Sequence, residues 1–356
     1  MSLHDLRKEI DDIDARIVEL LAARLKAAHE IGKEKEQSGQ PIEDREREEK
    51  VLQSVRALAA KKGISGEDVE NVFRQILSVT KNVQGFEVAF QGEAGAYAQE
   101  AAQNFFGRTV RTRPCETLDE VFKLVQEGSV PYGIVPVENS LEGSISRSYD
   151  LLLEYEVKVC GETQIRVSHS LIANKNATLG SIKKIYSHPQ ALAQSQAFLR
   201  RLGCELIPTY NTAAAVKMIR DKKIMDGAAV ASDEAAAIYG MKVLAREIED
   251  NPRNSTRFFV LGKQDSQPTG RDKTSIVFLL KHRPGTLYDT IGEFAQRQIN
   301  LTKIESRPTK QTPWEYNFYL DFEGHRQDPS IQEALARLEG TTLFLKVLGS
   351  YPRAEQ

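Results

Sequence analysis

The first region of the chain places its apolar residues at alternating steps of three and four, which is the period of an amphipathic α-helix. These apolar positions are Leu3, Leu6, Ile10, Ile13, Ile17, Leu20, Ala27 and Ile31. The helix should end near Ser38-Gly39-Gln40-Pro41, because glycine and proline interrupt the pattern there. Such a helix is about 50 Å long at a rise of about 1.5 Å per residue.

Two shorter helices should follow, one over residues 51–61 and one opened by Ser65 and Asp68, which resemble a capping box, and running past Thr80. We therefore predict an all-α three-helix domain over residues 1–84. Two short helices cannot cover the whole apolar stripe of the first one, so the pattern also predicts dimerisation through this segment.

From residue 86 the pattern changes to short apolar runs alternating with helical segments. Strands are predicted over residues 86–90, 133–137, 184–187, 205–209 and 228–232, and helices over 117–127, 190–202 and 212–222. This alternation is typical of an α/β domain with a largely parallel sheet. Residues 86–263 are long enough for two lobes with a cleft between them.

The last region follows a polar linker over residues 262–273. Its pattern of apolar and polar residues predicts, in this order, strand 274–281, helix 286–297, strands 300–307 and 314–322, helix 331–338 and strand 342–350. The order βαββαβ is that of a ferredoxin-like domain, here over residues 274–356.

Composition narrows the class of protein. The 356 residues carry 48 basic and 50 acidic side chains, a net charge of −2, which does not favour a nucleic-acid partner. The apolar runs are too short to span a membrane, and the first residues lack the apolar stretch of a secretory signal, so we expect a cytoplasmic protein. The three cysteines are far apart and the histidines are scattered, so we expect neither a metal site nor a cofactor.

Charged side chains interrupt the apolar stripe of the first region. Arg24 occupies a position where an apolar residue is due, and Lys35 lies about three helical turns later on the same side. The next two helices add the polar residues Asp44, Arg47, Glu48, Thr80 and Gln84. Cations on a buried stripe need an anion to compensate their desolvation, so a small dicarboxylate would suit this set. A solvated charged face with one extended arginine is the alternative, which spacing alone leaves open.

This region resembles the all-helical chorismate mutases of the AroQ class. The resemblance rests on Leu6-Arg7-x-x-Ile10-Asp11-x-Ile13-Asp14, Arg24, Gly32-Lys33-x-Lys35 and Pro41-x-x-Asp44-x-x-Arg47-Glu48. It implies that Arg24 and Arg47 bind the substrate carboxylates with Arg7 of the partner chain. It also implies that Lys35 and Gln84 bond the ether oxygen, and that Glu48 and the Asp44 backbone hold the ring hydroxyl, with Thr80 beside them.

Arg7 can be tested by geometry alone. It lies seventeen residues before Arg24, which is about 25 Å along a helix and a rotation of about 100°. Arg7 therefore cannot join Arg24 in one site of its own chain, and it would bind substrate only across a dimer.

Polar segments follow several strands of the middle region, where α/β clefts hold ligands. They are residues 92–97, 136–143, 187–190 and 251–258. His188 in the third segment could be a base or a residue that caps a strand. Val135-Pro136-Val137-Glu138-Asn139-Ser140, Ser187-His188-Pro189-Gln190 and Asn254-x-Thr256-Arg257-Phe258 resemble the prephenate dehydratases.

That resemblance implies a two-lobed domain like that of the periplasmic binding proteins, and removal of a hydroxyl and CO2 from prephenate. The hydroxyl is a poor leaving group, so a positioned proton donor is needed, and Thr256 is the first candidate. Its acidity would depend on the neighbours Glu138, Asn139, Ser187 and Gln194. Arg257 would bind a substrate carboxylate or form a salt bridge across the lobes.

Two segments of the last region resemble the phenylalanine-binding motifs of ACT regulatory domains. The residues that would contact the amino acid are Pro284, Gly285, Thr286 and Leu287 in the first segment and Asn300, Leu301, Glu305 and Ser306 in the second. The alternative is a structural module that only dimerises.

The three resemblances together indicate a bifunctional enzyme of phenylalanine biosynthesis, a chorismate mutase and prephenate dehydratase inhibited by phenylalanine. The chain would need no cofactor and would form a homodimer or a dimer of dimers. The sequence leaves two alternative functions open. One is an enzyme of the same architecture that prefers arogenate as its substrate, and the other is a regulatory protein that senses an anion without catalysis.

Overall fold

The three predicted regions follow one another in a computed structural model that describes residues 2–38, 45–83, 87–309 and 315–354. The α-helices are α1 Leu3–Ser38, α2 Arg45–Lys61, α3 Gly66–Val83, α4 Tyr97–Phe106, α5 Leu118–Glu127, α6 Ser146–Glu154, α7 Pro189–Gln194, α8 Gln196–Leu202, α9 Thr212–Asp221, α10 Asp233–Tyr239, α11 Thr286–Gln296 and α12 Pro329–Thr341, with a 3₁₀ turn at Leu179–Ser181. The strands are β1 Glu87–Gln91, β2 Arg111–Cys115, β3 Tyr132–Asn139, β4 Gly143–Ser144, β5 Lys158–Arg166, β6 Ser170–Ala173, β7 Lys184–Ser187, β8 Glu205–Pro208, β9 Gly227–Ala231, β10 Lys242–Ala245, β11 Ser255–Gly262, β12 Asp272–Leu279, β13 Leu301–Pro308, β14 Tyr316–Glu323 and β15 Phe344–Pro352. The chain divides into two compact units, residues 1–88 with 102–113 and residues 89–101 with 114–356.

The helices of the first unit confirm the predicted three-helix region. Helix α3 packs against both α1 and α2, and Ser65 Oγ caps it by accepting the Asp68 N–H at 3.3 Å. The apolar stripe of α1 is mostly open to solvent, with Leu3 67% and Leu20 69% exposed. Burying such a side chain is favourable by about 1.5–3 kcal/mol. A partner that covered this stripe would therefore lower its free energy.

Two sheets form the two-lobed domain. In the first sheet β11 lies between β3 and β5 and is antiparallel to both. The second sheet has the order β10-β6-β9-β7-β8, in which β7 is parallel to β8 and β9 while β6 is antiparallel to β9 and β10.

The expectation of a largely parallel sheet is therefore wrong. The chain passes from the first sheet to the second after β5 and returns after β10, and strands reached by such short crossings rather than through a helix run antiparallel. The two crossings, residues 167–169 and 246–254, lie where the lobes meet.

The predicted helix over residues 190–202 is broken at Ser195, and this break positions a side chain of the site. The Asp250 N–H donates to the Gln194 carbonyl at 2.7 Å, and Asp250 Oδ1 accepts the Ala197 N–H at 3.0 Å. The second crossing thus takes the hydrogen bonds that would have continued the helix, and α7 ends at Gln194.

The last region confirms the βαββαβ order, with an antiparallel sheet β13-β14-β12-β15. One face of this sheet packs on α11 and α12. Its other face shares a hydrophobic core with the two-lobed domain, where Tyr319 lies 4.9 Å from Tyr149 and Tyr351 lies 5.6 Å from Phe259 between ring centroids. The two regions therefore stabilise each other.

Candidate active site

Thr256 and Asn139 meet at the end of the central strand pair. Thr256 on β11 lies opposite Asn139, the last residue of β3. Asn139 Nδ2 donates to Thr256 Oγ1 at 3.0 Å and to Asn254 Oδ1 at 2.8 Å. Asn139 is only 3% exposed and Thr256 8%, so both bonds are shielded from bulk water.

The Asn139 turn, residues 139–143, wraps around the asparagine side chain. Asn139 Oδ1 accepts the backbone N–H groups of Leu141 at 3.0 Å and Glu142 at 3.2 Å. The nitrogen of a side-chain amide cannot accept a hydrogen bond, so the two N–H donors fix the oxygen of Asn139 on their side and direct its nitrogen to Thr256. Thr256 Oγ1 accepts that bond, which leaves its own O–H proton to be donated elsewhere.

Gln194 extends the network towards the other lobe. Its Nε2 donates to Glu142 Oε1 at 2.9 Å, and its Oε1 accepts Asn254 Nδ2 at 3.0 Å. A carboxylate can only accept, so the bond to Glu142 fixes the Gln194 amide as well. The break at Ser195 is what places this residue at a helix end beside the cleft.

His169 ends the network, and the sequence reasoning missed it. Its Nε2 lies 3.1 Å from Gln194 Oε1, and its Nδ1 lies 2.9 Å from the hydroxyl of Tyr97, whose single proton has the Ser168 carbonyl at 2.5 Å as its other acceptor. Burial lowers the pKa of His169, which is 2% exposed, so the ring is neutral near pH 7. Because Gln194 Oε1 only accepts, the ring proton resides on Nε2. The sequence signal that could have identified His169 is its position between β5 and β6, where the chain crosses from one lobe to the other.

Ser187 does not join this network. Its hydroxyl is fully buried and donates to the Val230 carbonyl at 2.6 Å, across the second sheet. His188 caps helix α7, since its Nδ1 accepts the Gln190 N–H at 3.3 Å.

Arg257 and Glu138 belong to an ion-pair cluster with the last region. Arg257 donates to Glu162 at 2.8 Å and to Asp321 at 2.6 Å, and Glu138 lies 3.5 Å from it. Burial alone would raise the pKa of Asp321, but the Arg257 guanidinium and further donors hold it below its usual value. Neighbouring residues of a strand face opposite sides, so the Arg257 side chain points away from the side on which Thr256 lies.

In the first unit the structure brings Arg24 and Thr80 together. Arg24 Nη1 donates to Thr80 Oγ1, which itself donates to the Ile76 carbonyl at 2.7 Å. Burial lowers the pKa of Arg24. Lys35 and Glu48 are half-buried, whereas Arg7 and Arg47 are exposed, and Asp44 and Gln84 lie outside the described residues.

The expected phenylalanine-binding residues lie on two segments. Gly285 caps α11 with φ +88°, a conformation that favours glycine. Thr286 Oγ1 bonds the carbonyls of its own loop, those of Lys281 and Arg283, at 3.1 and 3.0 Å. Leu287 and Leu301 pack on the core of the last region, Pro284 and Ser306 are exposed, and the Asn300 carbonyl accepts the Glu323 N–H at 2.9 Å. Glu305 instead bonds Ser144 of the two-lobed domain.

Within residues 2–38, 45–83, 87–309 and 315–354 no group of histidine, cysteine and acidic side chains is arranged to hold a metal ion. No helix in those same ranges is long and apolar enough to cross a membrane.

Comparison with known proteins gives one match for each region. The sequence profile of chorismate mutase type II matches residues 6–85, that of prephenate dehydratase matches residues 88–266, and that of the ACT domain matches residues 274–340.

Relatives match the whole chain as well as its parts. A bifunctional chorismate mutase/prephenate dehydratase of Aquifex aeolicus is 39% identical over 361 residues, covering 99% of this chain and 98% of the relative. Arogenate dehydratase/prephenate dehydratase 2 of Arabidopsis thaliana is 42% identical over 289 residues, 78% of this chain and 76% of the relative. The crystal structure of the prephenate dehydratase of Arthrobacter aurescens with L-Phe superposes with a TM-score of 0.69 at 30% identity, covering 75% of this chain and 90% of that one. With three domain matches in order and a relative that matches almost from end to end, the chain belongs to the family of bifunctional chorismate mutase/prephenate dehydratases.

Proposed function

We propose that the three-helix region rearranges chorismate to prephenate, and that the two-lobed domain converts prephenate to phenylpyruvate. In the second reaction the prephenate dianion takes up one proton and gives the phenylpyruvate anion, CO2 and water. The observation that supports the dehydratase site best is the hydrogen bond that Thr256 Oγ1 accepts from the oriented amide of Asn139.

In this proposal Thr256 donates its hydroxyl proton to the leaving ring hydroxyl as the C–O bond breaks. The electrons of the carboxylate C–C bond move into the ring, which releases CO2 and makes the ring aromatic. A threonine hydroxyl is a weak acid, and the bond that it accepts from Asn139 Nδ2 stabilises the negative charge left on Oγ1. The hydroxyl regains its proton from solvent after release of the products.

The direct test is to incubate the purified chain with chorismate and to follow prephenate and phenylpyruvate in time. Transient prephenate followed by phenylpyruvate supports both activities. Accumulation of prephenate alone would contradict the dehydratase assignment.

We propose that His169 positions Gln194 and thereby the amides of Asn254 and Asn139. His169→Ala should lower kcat for prephenate about 10-fold, because Gln194 Oε1 loses one of the two donors that hold it, while KM changes less. His169→Gln should recover part of kcat, since its amide nitrogen can still donate to Gln194 Oε1. Steady-state kinetics of the two variants check this, and equal losses in both would count against a hydrogen-bonding role.

The mutase reaction breaks one C–O bond and forms one C–C bond within the substrate, without a covalent catalyst. What the enzyme supplies is a compact pose of the dianion and positive charge near the ether oxygen. Arg24 is suited to binding a carboxylate of the dianion in that pose, since it is held by Thr80 and partly withdrawn from water, and Lys35 is the cation proposed for the ether oxygen.

We propose that two copies pair along the exposed stripe of α1 and exchange Arg7 between their mutase sites. Arg7 and Arg24 lie on the same helix, too far apart along it to share a site within one chain. The Arg7→Ala and Arg24→Ala homodimers should each lose mutase activity.

Mixing these two variants under conditions of subunit exchange should restore activity, because each mixed dimer then has one intact site. Random exchange makes half of the dimers mixed, so about a quarter of the wild-type rate is expected. Mixing each variant with itself is the control, and no recovery in a mixture that does exchange subunits would place Arg7 outside the site.

Arogenate is a second candidate substrate for the two-lobed domain. The observation in its favour is the 42% identity to a relative named for both arogenate and prephenate. The ratio of kcat/KM for the two substrates, measured on the same preparation, decides between them.

Phenylalanine is the proposed effector of the last region. Gly285 and Asn300 flank opposite ends of α11, an 11-residue helix about 16 Å long, so one chain holds them apart. A site that uses both segments would therefore combine segments of two copies.

A further inference from the structure

Strand β13 of the regulatory region presents a row of charged side chains to the two-lobed domain. Residues along the strand alternate between half-buried and exposed, so that Lys303, Glu305 and Arg307 share one face while Ile304 and Ser306 lie on the other. Alternate residues of a strand point to the same side, so the charged row is one continuous surface.

Lys303 reaches both strands of the hairpin that holds the Asn139 turn. Its Nζ lies 3.2 Å from the carboxylate of Glu138 and donates to Ser144 Oγ at 2.6 Å. Glu138 on β3 and Ser144 on β4 are paired directly across this hairpin, one residue before Asn139 and one after Gly143. The lysine therefore joins the two strands where the turn begins and ends.

The neighbours of Lys303 hold it in this position. Its side chain is 9% exposed, lies 5.1 Å above the Tyr149 ring and is 3.3 Å from Glu305, which accepts the Ser144 hydroxyl proton. A cation so far withdrawn from water needs these compensating groups, and its removal would take one cationic partner from each of Glu138 and Glu305.

Arg307 extends the contact to the helix that follows the hairpin. Its Nη1 donates to Ser146 Oγ at 2.8 Å, and its guanidinium lies 3.5 Å from Asp150. The hairpin base and the start of α6 are thus both held from β13.

We propose that Lys303 is a positioning residue of the dehydratase reaction, and that β13 is the element through which the regulatory region acts on the cleft. It acts through Glu138 and Ser144, which fix the Asn139 turn, and Asn139 in turn orients Thr256. This inference rests on the proposed dehydratase function. A shift of β13 on effector binding would loosen the turn without any movement of Thr256's own strand.

The chain offers a matched control in Lys346 on β15. This lysine is 13% exposed and also bridges the two regions, since its Nζ donates to the Tyr155 carbonyl at 3.0 Å and lies 3.1 Å from Glu156. Neither of these residues belongs to the Asn139 turn. Lys346→Met therefore shows how much the loss of a lysine between the two regions changes stability and activity when the Asn139 turn is not involved.

The experiment compares Lys303→Met, Lys303→Arg and Lys346→Met in the full-length protein, with melting temperature and mutase activity measured for each. Lys303→Met should lower kcat for prephenate about 10-fold or more with KM within about 3-fold. Lys303→Arg should retain more of kcat, and Lys346→Met should stay within about 2-fold of the wild type.

Phenylalanine provides the second measurement. Saturating phenylalanine should inhibit the wild type and Lys346→Met but not Lys303→Met, although calorimetry should still detect phenylalanine binding to Lys303→Met. Equal kcat and equal inhibition in the Lys303→Met and Lys346→Met variants would overturn this inference and leave the proposed function intact. Loss of phenylalanine binding in Lys303→Met would also overturn it, because the lysine would then belong to the effector site. A wild type that is inactive on prephenate would overturn the proposed function and this inference with it.

Discussion

Replacing Thr256 by alanine should reduce kcat for prephenate by about 10²-fold or more, which is the usual contribution of a positioned proton donor. The side chain is small and 8% exposed, and it makes one bond to Asn139 in the described network. Its loss leaves Asn139 Nδ2 with its bonds to Asn254 and to the Ser255 carbonyl, so the fold should persist. Chorismate supplied to this variant should accumulate as prephenate.

Thr256→Ser is the matched control, because it keeps the hydroxyl and removes only a methyl group. It should retain at least about a tenth of the wild-type kcat, since the donor remains although it is free to rotate. Stopped assays that quantify prephenate and phenylpyruvate separately provide the measurement. Near-normal turnover by Thr256→Ala would remove Thr256 from the mechanism.

The sequence predicts the first and last regions better than the middle one, and the reason is physical. The period of α1 is carried by local spacing, and the βαββαβ order follows from neighbouring elements. The direction of β11, in contrast, depends on where the chain crosses between the lobes, which no local pattern records. The expectation of a largely parallel sheet was wrong for that reason.

The candidate site was predictable where residues follow the ends of strands. Asn139 lies in such a segment, Thr256 is singled out by the resemblance to the prephenate dehydratases, and the structure brings the two together. His169 was not, because one histidine beside a strand resembles many structural histidines until Gln194 is placed opposite it. Gln194 reaches that position only because Asp250 interrupts the helix, a contact between residues 56 positions apart.

The shared core changes how the regulatory region is best tested. Tyr319 and Tyr351 pack against Tyr149 and Phe259, and Arg257 is paired with Asp321 of the same region. Deleting residues 274–356 would expose these rings and leave Arg257 without one of its buried partners, at a cost of about 3–5 kcal/mol for a broken buried pair. Lost activity in such a truncation would report unfolding, so single substitutions on β13 are the sharper test.

Replacing Arg24 or Lys35 by alanine should abolish chorismate mutase activity and leave the dehydratase rate on supplied prephenate unchanged. Arg24 is proposed to hold a substrate carboxylate and Lys35 to stabilise the charge that develops on the ether oxygen, and the loss of one such group costs about 10²- to 10³-fold in rate. The expected separation follows from the placement of the sites, since Arg24 and Lys35 lie on α1 whereas Asn139 and Thr256 lie in the other compact unit.

Lys33→Ala is the control for this last prediction, because Lys33 lies on α1 two residues from Lys35 and makes an exposed ion pair with Glu30 at 3.1 Å. Exposed pairs of this kind contribute about 0–1 kcal/mol, so both activities should persist in that variant. The two rates are measured separately, as chorismate loss and as phenylpyruvate formation from added prephenate. If Arg24→Ala lost both activities to the same extent while remaining folded by circular dichroism, the two reactions would share a site, and the assignment of the first to the three helices would be wrong.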